Sequence, residues 1–158
     1  MADLCIEEVK KAYKVLSSVA RKTNLTHSAS LSKENNIYLK SENLQLTGSF
    51  KLRGAYYKIS KLNDEEKKKG VIACSAGNHA QGVALGAKEK GIKATIFMPL
   101  TAPISKVEAT RSYGADVKLI DGVYGFFIKF IRGFRSKNLT DKHFTKRNGQ
   151  LVNQPADA

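Results

Sequence analysis

The sequence predicts an α/β fold in which a parallel sheet is flanked by helices. Two observations carry this prediction. Short apolar runs rich in β-forming residues alternate with helical patterns between residues 71 and 120, and small or glycine residues separate them. Such alternation is typical of βαβ units, whose strands are parallel. The length of 158 residues suits one domain with a core and is too short for two full domains.

In the first half of the chain, the spacing of apolar residues and the content of β-forming residues predict two helices and a strand. Residues 6–21 carry a helical apolar stripe, and residues 36–40 are rich in β-formers. A second helix is predicted over residues 49–62, with Ser49 as its N-cap.

The second half contains the alternating pattern itself. Strands are predicted at residues 71–74, 93–98 and 115–120. Helices are predicted over residues 79–90 and from Pro103 to about residue 113. Because ligands bind at the carboxyl ends of parallel strands, the turn after the first of these strands is the expected location of a site.

The composition excludes several classes of protein. The formal net charge of +13 first suggests nucleic-acid binding, but the basic residues are mostly dispersed, so we expect no nucleic-acid partner and keep that class only as a distant alternative. No apolar run reaches about 18 residues, and the first residues do not resemble a signal peptide. Two cysteines and no metal-ligand spacing predict neither a disulfide framework nor a metal site. We therefore expect a cytoplasmic protein without a membrane partner.

A first candidate motif surrounds Lys51, in the segment Thr-Gly-Ser-Phe-Lys-Leu-Arg-Gly-Ala. A lysine in the first turn of a helix meets the positive end of the helix dipole, and Arg53 would add positive charge. Both effects favour a neutral amine, which Schiff-base chemistry needs. Taken alone the motif is weak, because a surface lysine tolerates a small penalty.

A second candidate motif is the turn Ser-Ala-Gly-Asn-His that starts at Ser75. A small polar turn between a strand and a helix exposes main-chain N–H groups, which suit a carboxylate or a phosphate. The simpler alternative is a tight turn, with Gly77 for backbone freedom, Asn78 as a cap and His79 on the surface.

Together, and in this order, the two motifs resemble the threonine/serine dehydratase group of fold type II pyridoxal 5′-phosphate (PLP) enzymes. The similarity runs from about Ile6 to Tyr124 and includes Leu-Lys-Ser-Glu-Asn-Leu-Gln before Lys51 and Ala-Pro-Ile-Ser-Lys-Val-Glu-Ala-Thr after the turn. The resemblance implies a three-layer αβα, tryptophan synthase β-like fold that is incomplete in this chain. It also implies a threonine dehydratase activity.

The resemblance assigns roles to six residues. Lys51 would hold PLP covalently and move the Cα proton, and Phe50 would lie against the pyridine ring. Asn78 would hydrogen-bond the ring hydroxyl of PLP and lie beside the substrate. Ser75, Gly77 and His79 would bind the substrate carboxylate through main-chain N–H groups. The implied reaction deaminates L-threonine, and L-serine, to 2-oxobutanoate or pyruvate and ammonia.

Ala76 helps to separate two related activities. Racemising relatives resemble Ser-Ser-Gly-Asn-His, with the second serine as an acid/base group. Ala76 has no proton to give, so we expect a dehydratase rather than a serine racemase/dehydratase. A non-catalytic fragment of a dehydratase is a further alternative, and whether the role is in threonine catabolism or isoleucine biosynthesis stays open.

The resemblance stops near Gly125, where the sequence turns basic and aromatic. We expect residues 1–50 to be a strip of the large PLP domain, residues 51–124 the small α/β domain, and residues 125–158 a divergent, disordered or irregular tail, from a frameshift or fusion junction. The glycine-rich loop that holds the PLP phosphate in relatives does not occur here. We therefore expect exposed apolar faces and impaired activity, and a homo-oligomer only for the full-length family member.

Overall fold

The computed structural model describes residues 5–121 and, as backbone only, residues 144–147 and 150–153. The helices are α1 Ile6–Leu16, α2 Lys51–Ser60, α3 Asp64–Lys69, α4 Asn78–Glu89 and α5 Ile104–Ser112, with a 3-10 turn at Glu42–Leu44. The strands are β1 Leu25–His27, β2 Tyr38–Lys40, β3 Val71–Cys74, β4 Ala94–Pro99, β5 Asp116–Ile120, β6 Phe144–Arg147 and β7 Gln150–Asn153. Among the described residues no helix has the length and apolar character needed to cross a membrane.

A three-stranded parallel sheet, in the order β3-β4-β5, forms the centre of the described chain. Cys74 pairs with Phe97, which in turn pairs with Lys118. The central strand β4 is buried from Ala94 to Met98, as expected for a central parallel strand of mostly apolar residues. The parallel sheet and its three predicted strands are therefore confirmed, each to within one residue.

Helix α4 is buried along most of its length and packs against α2 at two glycines. Residues 80–87 are all buried. A Cβ added at Gly82 would lie 2.9 Å from the carbonyl oxygen of Lys51, and one at Gly86 would lie 3.3 Å from the Cα of Tyr56. Glycine thus lets the two helix backbones approach closely, and this packing fixes the start of α2 against the first turns of α4.

Residues 5–50 form α1 and a two-stranded antiparallel sheet of β1 and β2. The predicted first helix was too long, because α1 ends at Leu16, after which the hydroxyls of Ser17 and Ser18 donate to main-chain carbonyls one turn back. Leu16 packs in a small core cluster with Leu52, Tyr56 and Leu85. Helix α1 has the exposed apolar face that we expected. Three of its apolar residues are at least 49% exposed, namely Ile6, Val9 and Tyr13.

The predicted second helix was also too long at both ends. α2 begins at Lys51, with Phe50 at the N-cap position and no side-chain cap. Ser49 does not cap it; among the described residues this buried hydroxyl has no hydrogen-bond partner. A separate helix, α3, begins after Asn63, which forms a reciprocal capping box with Glu66.

The tail predicted from Gly125 lies mostly outside the described residues. Within it, β6 and β7 pair as an antiparallel hairpin in the register Phe144 to Asn153. The predicted junction near Gly125 is not among the described residues.

Candidate active site

The turn between β3 and α4 occupies the carboxyl end of the parallel sheet. Ser75 is buried, and its main-chain N–H donates to the carbonyl of Phe97 at 3.1 Å. The N–H of Gly77 donates to Oγ of Ser75 at 3.4 Å. The Ser75 N–H is thus committed to the sheet, which corrects the expectation that it is free for a substrate carboxylate. His79 lies in the first turn of α4, where main-chain N–H groups lack helical acceptors.

Lys51 is the first residue of α2 and lies next to the first turn of α4. Its Nζ lies 4.9 Å from the ring centroid of Phe50, a cation–π distance. The Phe50 ring is 58% exposed, so it is accessible to a planar ligand. Burial, and secondarily the charge of Lys51, lower the pKa of His79, so His79 is neutral near pH 7.

Arg53 is paired rather than free, which changes the expected charge balance around Lys51. Its Nε and Nη2 donate to the two carboxylate oxygens of Glu42 at 2.7 and 2.9 Å. Thr23 also donates to Glu42, at 2.7 Å. Because Glu42 compensates the charge of Arg53, the expected contribution of Arg53 to a positive potential at Lys51 is largely cancelled.

A cleft of about 380 Å³ opens between α2, β3 and α4. Most of its wall is apolar, and within the described residues no carboxylate lines it. The charged or titratable side chains that line the cleft are Lys51, Lys58 and His79. Phe50 also lines it, next to Lys51. An apolar cleft with a primary amine, an exposed aromatic ring and cationic groups fits a planar, anionic aldehyde such as PLP.

The structure brings only some of the six predicted site residues to this cleft. Lys51, Phe50 and His79 line it, whereas Ser75, Gly77 and Asn78 do not. Asn78 is exposed, and its Oδ1 accepts a hydrogen bond from Nζ of Lys106 at 2.7 Å. Sequence reasoning assigned no role to Lys106. The signal that was available is the position of this lysine in the first turn of α5, because that turn contains no acidic residue.

One further prediction for this region agrees with the structure. Cys74, at the end of β3, is buried as expected, and burial raises the pKa of its thiol to about 12. This thiol is therefore protonated at neutral pH and poorly reactive. In the described part of the chain, no group of three or more His, Cys, Asp or Glu side chains is placed to hold a metal ion.

Comparison with known proteins identifies the family. The sequence pattern of the family described as pyridoxal-phosphate dependent enzyme matches residues 16–138, beyond the boundary predicted at Gly125. The L-threonine ammonia-lyase of Thermotoga maritima is 53% identical over 123 residues, which cover 77% of this chain and 31% of that protein. The catabolic L-threonine dehydratase TdcB of Staphylococcus aureus N315 is 48% identical over 155 residues, which cover 96% of this chain and 41% of that protein.

A solved structure is similar to this chain as well. Maize serine racemase matches with a TM-score of 0.79 and 33% identity, over 84% of this chain and 41% of that protein. The predicted fold class is thereby confirmed, and the chain spans well under half the length of the curated relatives that it matches. With the family pattern covering residues 16–138, most of its length, this chain belongs to the pyridoxal-phosphate dependent enzymes.

Proposed function

We propose that this chain carries the lysine half of the active site of a PLP-dependent threonine ammonia-lyase. The observation that carries the proposal is the position of the Lys51 amine, beside the exposed Phe50 ring at an apolar cleft without carboxylates in the described residues. The two threonine-deaminating relatives support the substrate class. The proposed reaction converts L-threonine, and L-serine, to a 2-oxo acid and ammonia.

Within this proposal the residues of the chain have distinct tasks. Bound PLP supplies the electron sink for the chemistry at Cα. Lys51 would hold the cofactor through Nζ and, once the substrate amine has displaced it, the freed Nζ would accept the Cα proton. Phe50 and the Asn78 amide would help to hold the cofactor.

The substrate carboxylate lies at the turn before α4 in this proposal. The N–H groups of Gly77 and His79 contact it, with the Gly77 N–H exchanging its long 3.4 Å hydrogen bond to Oγ of Ser75 for the carboxylate. Ser75 contributes its hydroxyl, because its N–H is committed to Phe97.

Elimination is favoured over racemisation by the side chain at position 76. Racemisation needs an acid/base group on each face of Cα, and Lys51 supplies only one. Ala76 packs partly buried against the main core cluster and offers a methyl group. The similarity to maize serine racemase supports the second candidate, a serine racemase/dehydratase.

Purified chain with added PLP distinguishes these activities. We expect L-threonine to yield 2-oxobutanoate. We expect L-serine to be converted to pyruvate faster than it is converted to D-serine. D-Serine formed faster than 2-oxobutanoate would contradict the proposal, and PLP binding without turnover would favour the non-catalytic alternative.

Other expectations from the sequence stay proposals. We propose the division into residues 1–50, 51–124 and 125–158, a cytoplasmic location, and a homo-oligomer for the longer family members. The staphylococcal relative is a catabolic threonine dehydratase by name, and this favours a catabolic role. The match of the family pattern to residue 138, and of the staphylococcal relative over 155 residues, argues against a junction as early as Gly125. The frameshift hypothesis is tested by translating the coding DNA after Tyr124 in the other frames; absence of dehydratase-like sequence from them contradicts it.

A further inference from the structure

Lys106 and Asn78 form a hydrogen bond that joins α5 to the first residue of α4. The Nζ of Lys106 donates to Oδ1 of Asn78 at 2.7 Å. An ammonium group has donors and no acceptor, so only the amide oxygen of Asn78 can face it. The contact therefore selects one of the two amide orientations and directs Nδ2 away from Lys106.

The main chain of Lys106 is held firmly on both sides. Its N–H donates to the carbonyl of Pro103 at 2.9 Å, and its own carbonyl accepts from Oγ1 of Thr110 at 2.8 Å. Thr110 is fully buried and Val107 is 5% exposed, so this side of α5 is anchored in the core. The lysine is thus presented from a rigid element.

The position of Lys106 opposes a local rule of helix stability. A cation in the first turn meets the positive end of the helix dipole, and this turn contains no acidic residue that would offset it. Departures from local preference concentrate at functional sites. Asn78, the partner of Lys106, follows directly the turn that ends the parallel strand β3.

We propose that Lys106 is a positioning residue that orients the Asn78 amide, so that Nδ2 is presented as a donor to an anionic oxygen of the cofactor; this rests on the proposed function. The ammonium group also polarises the amide, which strengthens the Nδ2 donor. Lys106 acts through Asn78 and does not touch the reacting atoms.

NMR of the cofactor-free, ¹⁵N-labelled chain tests the orientation directly. We expect the Asn78 side-chain amide to be rigid, by heteronuclear relaxation, in the wild type and in Lys106→Arg. It should become mobile in Lys106→Met. Arg111→Met is the control, because Arg111 lies on the same helix but pairs with Glu108. A mobile Asn78 amide in the wild type, or no change in Lys106→Met, overturns the proposal.

Titration with pyridoxal 5′-phosphate, followed by absorbance, tests whether Lys106 strengthens cofactor binding through Asn78. We expect Lys106→Met to weaken binding about five- to tenfold, the effect of one charge-assisted hydrogen bond, with rescue by Lys106→Arg. Unchanged binding in Lys106→Met overturns the inference alone. Failure of the wild type to bind the cofactor defeats the proposed function instead, and the NMR result on the cofactor-free chain then still decides the orientation.

Discussion

Replacement of Gly82 by alanine is expected to destabilise the chain by about 1–3 kcal/mol and to displace Lys51. The new Cβ would meet three main-chain atoms, namely the carbonyl oxygen and carbon of Lys51 at 2.9 and 3.0 Å and the nitrogen of Leu52 at 3.1 Å. Backbone atoms cannot rotate away, so α2 and α4 must separate at the point where Lys51 begins α2. Chemical denaturation measures the loss, and PLP titration measures the displacement.

Two other glycines provide graded controls. A Cβ at Gly86 would lie 3.2 Å from Cδ1 of Ile59 and 3.3 Å from the Cα of Tyr56, so Gly86→Ala should be milder. Gly54 has nothing within 4 Å, and Gly54→Ala should be neutral or stabilise α2 by about 0.5–1 kcal/mol. If Gly82→Ala is no less stable than Gly54→Ala, the close packing of α2 on α4 is incorrect.

Replacement of Glu42 by glutamine is expected to lower the free energy of unfolding at pH 7 by on the order of 2 kcal/mol. The hydrogen bonds from Arg53, followed by weaker contributions from Thr23 and Gln45, lower the pKa of Glu42 to about 2 against the opposing effect of burial. The Glu42 side chain is 16% exposed, so solvent screens this pair less than a surface pair. The network joins residues 21–45 to the helix that begins at Lys51.

The same pair gives the stability a defined pH dependence. Because the pKa of Glu42 is lower in the folded state, its stabilisation is complete above the unfolded pKa, near 4.5, and is lost as the pH falls toward 2. The stability difference between wild type and Glu42→Gln should therefore shrink between about pH 5 and pH 2. Glu108→Gln, at an exposed surface pair, should change stability by less than about 0.5 kcal/mol. A pH-independent difference would show that ionised Glu42 is not what stabilises the fold.

The pattern of apolar residues was sufficient to predict the parallel sheet, because β3, β4 and β5 are short, largely apolar runs bounded by turn residues. The same signal overextended α1 and α2. Amphipathic spacing continues through Ser17 and Ser18, but their hydroxyls bond the preceding carbonyls and the helix ends. The strand β1 was missed, because three exposed residues carry no alternation that distinguishes them from a loop.

For the candidate site, the motifs singled out three residues that line one cleft, but they did not predict how the side chains around the cleft are connected. Lys51, Phe50 and His79 do share one cleft. The pairing of Arg53 with Glu42 spans 11 residues, and that of Lys106 with Asn78 spans 28. Contacts at such separations depend on the packing of whole elements, which periodicity does not report. The commitment of the Ser75 N–H to Phe97 likewise follows from strand register rather than from the motif.

The central claim, that Lys51 is the residue to which PLP attaches, has one direct test. The chain is incubated with PLP, reduced with borohydride, digested, and analysed by peptide mass spectrometry. We expect the reduced cofactor on Lys51 in the wild type and none at that position in Lys51→Met, with the other lining lysine, Lys58, unlabelled in both. Label spread over surface lysines, or on Lys58 but not Lys51, would contradict the account.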